Sequence, residues 1–204
     1  MMINKKIGSP LKKIEQLLAS PFSVFTTQDL ATVWQVIDST TLYSNIAYYL
    51  RTKKLTRLHK GVYAVSNKVW TAYELAQKLI TPSYLSFYTA LSAAGLTFQH
   101  YDTIHAMALV SKTITAAGHT FTYHQLKKEI FYDQTGTKDQ VTYKIAGPER
   151  AICDSLYLIP SLTFDSLKGI DPDKLRLTSQ VYNNNRLQEQ VKKLITQIDK
   201  FKIA

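Results

Sequence analysis

Leu42, Ile46, Tyr49 and Leu50 recur at i, i+4, i+7 and i+8, the spacing of a single apolar stripe on a helix. Ser39-Thr40-Thr41 just before them supplies hydroxyls that can cap a helix start, so the pattern predicts a helix over 42–52. Two shorter helical patterns precede it. Leu11, Ile14, Leu17 and Leu18 share a face, with Pro10 suited to a first turn and Ser20-Pro21 ending the segment. Thr26 or Thr27 then caps a second helix running to about Gln35, with Asp29 near its positive end. The stretch LTRLHKGVYAV follows and reads as two short strands turned at Lys60-Gly61. Three helices followed by a hairpin is the order of a winged helix-turn-helix.

Asn67 to Thr71 reads as a seam, giving an expected first domain of 1–70 and a second of 71–204. In the second, Tyr73, Leu75, Ala76 and Leu79 predict a short helix ending before Pro82. Ser83 or Ser86 opens another, Tyr84 to Ala94, stopped by Gly95. Ile104 to Val110, Thr120 to Tyr123, Glu129 to Tyr132 and Gln140 to Ile145 are strand candidates, punctuated at Gly118-His119 and Gly136-Thr137. Pro148 starts a helix carrying Ala151, Ile152, Ser155 and Leu156. A last one, Asn185 to about Phe201, aligns Leu187, Val191, Leu194, Ile195 and Ile198. The expected class is α+β, a winged helix-turn-helix followed by a mixed α/β domain.

Charge sharpens the functional reading. The chain carries a formal +10, and residues 1–70 hold +7 of it: ten cations (Lys5, Lys6, Lys12, Lys13, Arg51, Lys53, Lys54, Arg57, Lys60 and Lys68) against three acids (Glu15, Asp29 and Asp38). A local cationic field of this kind most often meets phosphate, which points to double-stranded DNA. On the 42–52 helix, Thr41, Ser44, Tyr48 and Arg51 face away from the apolar stripe, with Tyr43, Asn45 and Ala47 on its flanks. N-terminal residues of such a helix reach base edges, so Thr41, Tyr43, Ser44 and Asn45 are the expected base readers. Arg51, Lys53, Lys54, Arg57 and Lys60 are the expected phosphate contacts, and Tyr48 and His59 lie beside them. A membrane surface is the other polyanion, but no lipidation signal and no long basic amphipathic helix is present.

Three segments in order resemble the AbiEi family, the abortive-infection antitoxins of type IV toxin–antitoxin systems. They are the wing ending Lys60-Gly61-Val62-Tyr63, the segment Leu75-Ala76…Leu79…Pro82-Ser83-Tyr84 with Ala90-Leu91 and Gly95-Leu96, and Pro148-Glu149-Arg150-Ala151 with Asp154 and Leu156-Tyr157. Together they span about residues 25 to 160; no family-like signature follows Asp165. The resemblance implies a winged helix-turn-helix that represses its own operon at promoter repeats. It also implies a second domain that neutralises a nucleotidyltransferase-like toxin without a stable complex, the chain being a monomer or weak dimer that can cooperate on DNA. A stand-alone winged-helix regulator with a ligand- or protein-binding second domain is the alternative.

Other chemistry finds little purchase. The single cysteine, Cys153, allows no intrachain disulfide, and with no apolar run near 18 residues a cytoplasmic chain is expected. Five histidines (His59, His100, His105, His119 and His124) lack a Cys/His ligand pattern, so neither a metal nor another cofactor is expected. Arg150 and Asp154, at i and i+4, read as an ion pair of the core, Glu149 as a favourable helix-start charge, and Cys153 as a small buried apolar group. No phosphate-cradling glycine loop and no nucleophile elbow occurs, so an enzyme is not expected.

Overall fold

The structure is a computed structural model that describes residues 10–99 and 102–203, with side chains from 13 to 200. Lys5, Lys6 and His100 lie outside the described residues, as do the side chains of Leu11, Lys12 and Phe201. The chain is mixed α and β with two sheets. It divides into two compact units, Met1–Leu79 and Ile80–Ala204.

The first unit runs α1 (Pro10–Ala19), β1 (Val24–Thr26), α2 (Thr27–Trp34), α3 (Ser39–Arg51), β2 (Leu55–His59), β3 (Val62–Val65) and α4 (Ala72–Leu79). Its helices form on the segments whose apolar spacing predicts them, but α3 begins at Ser39, ahead of the expected 42, and is capped by Asp38 in place of the Ser39–Thr41 hydroxyls. Thr26 closes a capping box on α2: its hydroxyl accepts from Asp29 N at 3.1 Å, and the Asp29 carboxylate accepts from Thr26 N at 2.8 Å. The apolar faces meet in one core of Ile14, Leu17, Phe25, Leu30, Trp34, Leu42, Ile46, Tyr49, Leu55, Tyr63 and Val65. Each large side chain taken fully out of water there contributes about 1.5–3 kcal/mol.

Strand β1, too short to show a period, pairs antiparallel with β3, which pairs with β2 in turn. Gly61 turns the β2–β3 hairpin at φ +75°, where a side chain would be strained. Its carbonyl accepts from Thr27 N at 2.9 Å, which ties the hairpin tip to the start of α2. The unit ends later than the compositional seam at 67–71. The buried Glu74 carboxylate of α4 accepts from Ser23 N at 2.7 Å and Val24 N at 2.9 Å, and Lys78 pairs with Asp29 at 2.8 Å. These contacts bind α4 to β1 and α2, so the boundary falls after Leu79 and not after residue 70.

The second unit runs β4 (Ser83–Leu85), α5 (Phe87–Ala93), β5 (Thr103–Ala108), β6 (Lys112–Ala116), β7 (His119–Gln125), α6 (Lys128–Tyr132), β8 (Thr137–Asp139), β9 (Lys144–Ala146), α7 (Pro148–Leu158), α8 (Pro172–Gln180) and α9 (Asn185–Ile203). Its sheet is mixed, in the order β6-β7-β5-β4-β9-β8. Several sequence expectations fail here, the first because ladder pairing overrides local pattern. Ser83–Leu85 does not begin a helix; it pairs with Ala106–Ala108 on one side, and Leu85 pairs with Ile145 on the other. Glu129–Tyr132 lies in helix α6 instead of a strand, and residues 140–143 form the turn between β8 and β9. No helix among the described residues is long and apolar enough to cross a membrane.

At the centre of this unit Arg150 and Asp154 are fully buried, Nε to Oδ1 at 3.2 Å. Asp154 also accepts from Ser86 Oγ at 2.6 Å, Tyr182 Oη at 2.5 Å and Tyr84 Oη at 3.1 Å. Arg150 spends its remaining protons on the carbonyls of Ile130 (2.8 Å), Asp133 (3.1 Å) and Thr135 (3.1 Å), and on Tyr84 Oη at 2.9 Å. Burial pushes the Asp154 carboxyl up while the guanidinium beside it pulls the other way. The pair thereby fastens α7 to β4, α6 and the loop that follows α6, which is a structural task. Ser86 is the N-cap residue of α5, but its hydroxyl makes no capping hydrogen bond and is turned to Asp154. Cys153 is buried beside the pair and its thiol is pushed up by burial, away from reactivity.

Candidate functional site

Helix α3 is capped by Asp38, whose carboxylate accepts from Thr41 N at 2.6 Å; hydrogen bonds from the Thr41 side chain first and its backbone N–H second hold that carboxyl below the usual range. From this cap the helix buries Leu42, Ile46 and Tyr49 and leaves Thr40, Thr41, Tyr43, Ser44, Ala47, Tyr48 and Arg51 exposed. Those seven side chains form one continuous outer face over the length of the helix. Beyond it the chain turns through Lys53, at φ +55°, into β2 and the hairpin. Lys53, Arg57 and the tip residue Lys60 are exposed, whereas Lys54 and His59 are half-buried. The Arg51 guanidinium sits 5.9 Å from the Tyr48 ring centroid and that of Arg57 5.7 Å from the Tyr63 ring, so both stems lie along aromatic surface. From Ser39 to Tyr73 the sequence holds six Lys/Arg and no Asp or Glu. This stretch therefore presents uncompensated positive charge.

Eight of the eleven expected site residues are exposed on α3 or the hairpin: Thr41, Tyr43, Ser44, Tyr48, Arg51, Lys53, Arg57 and Lys60. Asn45 departs from expectation. It is half-buried, and its Nδ2 is buried with no hydrogen-bond partner, so the amide is turned from the outer face. The reason is angular: Asn45 shares helical rows with the buried Leu42 (i−3) and Tyr49 (i+4), which puts it on the shoulder of the apolar stripe. Its place outside is taken by Thr40 and Ala47, which share a helical row with Tyr43 and which the expected base-reading set omits. Ile37, just ahead of the helix, is fully exposed.

Two cations counted towards the charge asymmetry serve the fold. Lys68 Nζ donates to the carbonyls of Ser20, Phe22 (2.8 Å) and Leu18 (3.5 Å), closing the end of α1. Lys13 is buried against the Trp34 ring, 5.8 Å from its centroid, and burial lowers its pKa. The remaining described cations of the first unit are Lys78, paired to Asp29, and the five on α3, the following turn and the hairpin.

In the second unit the structure brings together two histidines that spacing does not pair. His105 Nδ1 and His124 Nε2, on the adjacent parallel strands β5 and β7, are 3.0 Å apart. Their rings are 10° from parallel with centroids 5.3 Å apart, the geometry of an edge-to-edge N–H···N bond. Burial, and the proximity of His124, lower His105 to about 4; burial also lowers His124.

No family model matches this chain, and no curated protein matches it. Among solved structures, the RV2827C protein from Mycobacterium tuberculosis has a similar fold, with a TM-score of 0.53 and 13% identity. The match covers 95% of this chain and 78% of that one. At such identity the likeness concerns the fold alone.

Proposed function

We propose that this chain is a DNA-binding transcriptional autorepressor and the antitoxin of a type IV toxin–antitoxin system, opposing a nucleotidyltransferase-like toxin in the cytoplasm. In this reading α2, α3 and the β2–β3 hairpin are a winged helix-turn-helix. Helix α3 enters the major groove, and the hairpin rests on the adjacent backbone. The observation that carries it is the outer face of α3 running without an acid into Arg51, Lys53, Lys54, Arg57 and Lys60. A surface so composed meets phosphates at its cationic end and base edges at its hydroxyl-bearing start. The antitoxin half of the proposal rests on the resemblance of the Pro148–Tyr157 segment and its neighbours to AbiEi proteins. It assigns that role to the second unit as a folded body and requires no catalysis by this chain.

The test is fluorescence anisotropy on a duplex taken from the chain's own promoter, titrated across salt. Five phosphate contacts predict a log–log slope of about −4 to −5. Arg57→Ala and Lys60→Ala should each weaken binding to all duplexes alike and flatten that slope by about one. Salt-independent binding, or no binding, refutes the DNA assignment. Co-expression with the adjacent reading frame tests the antitoxin half: growth rescued by the full chain supports it, and unrelieved toxicity refutes it.

A further inference from the structure

We infer that α3 recognises DNA through the 5-methyl groups of thymine, so that its preferred duplexes carry A·T pairs where Tyr43 and Ala47 touch the groove. This rests on the placement of α3 in the major groove made above.

Base discrimination in the major groove uses few side-chain chemistries. Arg or Lys grips guanine in bidentate fashion, Asn or Gln grips adenine, Asp or Glu accepts from the cytosine amino group, Ser or Thr serves several bases, and apolar groups meet the thymine methyl. Over its first three turns the exposed face of α3 holds Thr40, Thr41, Tyr43, Ser44, Ala47 and Tyr48. None of these is Arg, Lys, Gln, Asp or Glu. The sole amide, Asn45, has its nitrogen buried on the inner shoulder of the helix. Arg51 stands ten residues beyond Thr41, or about 15 Å along the axis. It stands with the cations of the following turn and hairpin, which the proposed function assigns to phosphate.

Guanine, adenine and cytosine thus have no bidentate or carboxylate partner on this face, and hydroxyls alone discriminate weakly. What remains is apolar. Tyr43 keeps 58% of its surface exposed, and Ala47 lies one turn further along the same row. An exposed aromatic ring and a methyl on a face flanked by cations form the part of this surface that gains from losing water. Thymine supplies the matching apolar group at the groove floor. The cationic flanks make the occupant a duplex in preference to an apolar protein partner, because they would be left without counter-charges against the latter.

The experiment selects binding sites for the full-length protein from a duplex pool with a randomised centre. The winning duplex is then remade with deoxyuridine for thymidine. Uracil pairs as thymine does and leaves the minor-groove edge unchanged, so a hairpin that prefers a narrow A·T minor groove cannot imitate the effect. The expected result is a winning site rich in A·T, bound about fourfold more weakly for each contacted methyl removed. In Tyr43→Ala the thymine–uracil difference should shrink by about fourfold, leaving the share that belongs to the Ala47 methyl, with an unaltered salt slope; circular dichroism checks that this variant is folded. Replacing cytosine with 5-methylcytosine in a G·C duplex, which restores a methyl at the same groove position, should recover affinity. Equal binding of thymine and uracil duplexes by the wild type, or winning sites built of G·C, overturns this inference while leaving DNA binding intact. Failure to select any duplex overturns both.

Discussion

The His105–His124 pair makes the second unit sensitive to acid in a way that can be worked through. His105 is half-buried against the rings of Phe87 and Tyr88, and its backbone N donates to Thr89 Oγ1 at 2.7 Å. Its pKa lies at about 4 in the folded chain against 6.5 for a free imidazole. Because the folded value is depressed, the unfolded chain takes up protons first as pH falls. The stability contributed by the neutral ring is complete above about 6.5, declines from there to about 4, and is gone below. Fully realised, that depression corresponds to about 3.4 kcal/mol at 1.36 kcal/mol per decade. The ring retains contact with solvent, so screening reduces the figure to about 2 kcal/mol. Urea denaturation followed by circular dichroism at a series of pH values would measure it, comparing wild type with His105→Phe so that titrating carboxylates common to both cancel. The gap between the two should narrow by about 2 kcal/mol in favour of the variant from pH 7 to pH 4. A constant gap, or an imidazole resonance of His105 titrating at or above 6.5 in NMR, would refute the reasoning.

Three further changes have defined outcomes. Arg150→Ala should destabilise the chain by about 3–5 kcal/mol in urea melts, because it strands the buried Asp154 carboxylate and the carbonyls of Ile130, Asp133 and Thr135; a loss below 1 kcal/mol would show that the pair is dispensable. Thr26→Ala removes the side-chain half of the α2 capping box and should cost about 1 kcal/mol, read as a lowered thermal midpoint. Asn45→Ala should leave base preference in a selection experiment unchanged and keep or raise stability, since it deletes a buried unpartnered amide.

The first unit was the more legible half of this chain because its signals are local. A stripe at helical spacing, hydroxyls at helix starts and a glycine in a basic turn each need only neighbouring residues to act. The second unit hides its structure in long-range pairing. Tyr84 belongs to a helix by local pattern, yet residues 83–85 sit between β5 and β9, whose partners are more than twenty residues away in sequence. Helix α8 went unseen because its segment, PDKLRLTSQ, is mostly polar and buries just Leu175, Thr178 and Ser179. Glu74 shows the same limit at a domain edge: nothing near it in sequence reveals that its carboxylate closes β1 from about fifty residues away.

The candidate interface divides along the same line, and the division bears on how charge should be used as evidence. Which side chains leave the α3 stripe follows from angle alone, and Thr41, Tyr43, Ser44, Tyr48 and Arg51 are found outside. Which cations are free to meet phosphate does not follow, because a lysine's partner is chosen by the fold. Lys68 satisfies carbonyls at the end of α1 and Lys13 lies against Trp34, so the +7 read from residues 1–70 overstates the field available to a ligand. The loss is not spread evenly. It removes charge from the α1 side of the unit and leaves Arg51, Lys53, Lys54, Arg57 and Lys60 clustered where α3 ends and the hairpin begins. A field with a defined position orients a duplex, while the same charge spread evenly would merely attract one. Under the proposed function, such orientation is what would bring the hydroxyls, the Tyr43 ring and the Ala47 methyl to the groove, once the fold has engaged Lys13 and Lys68 elsewhere.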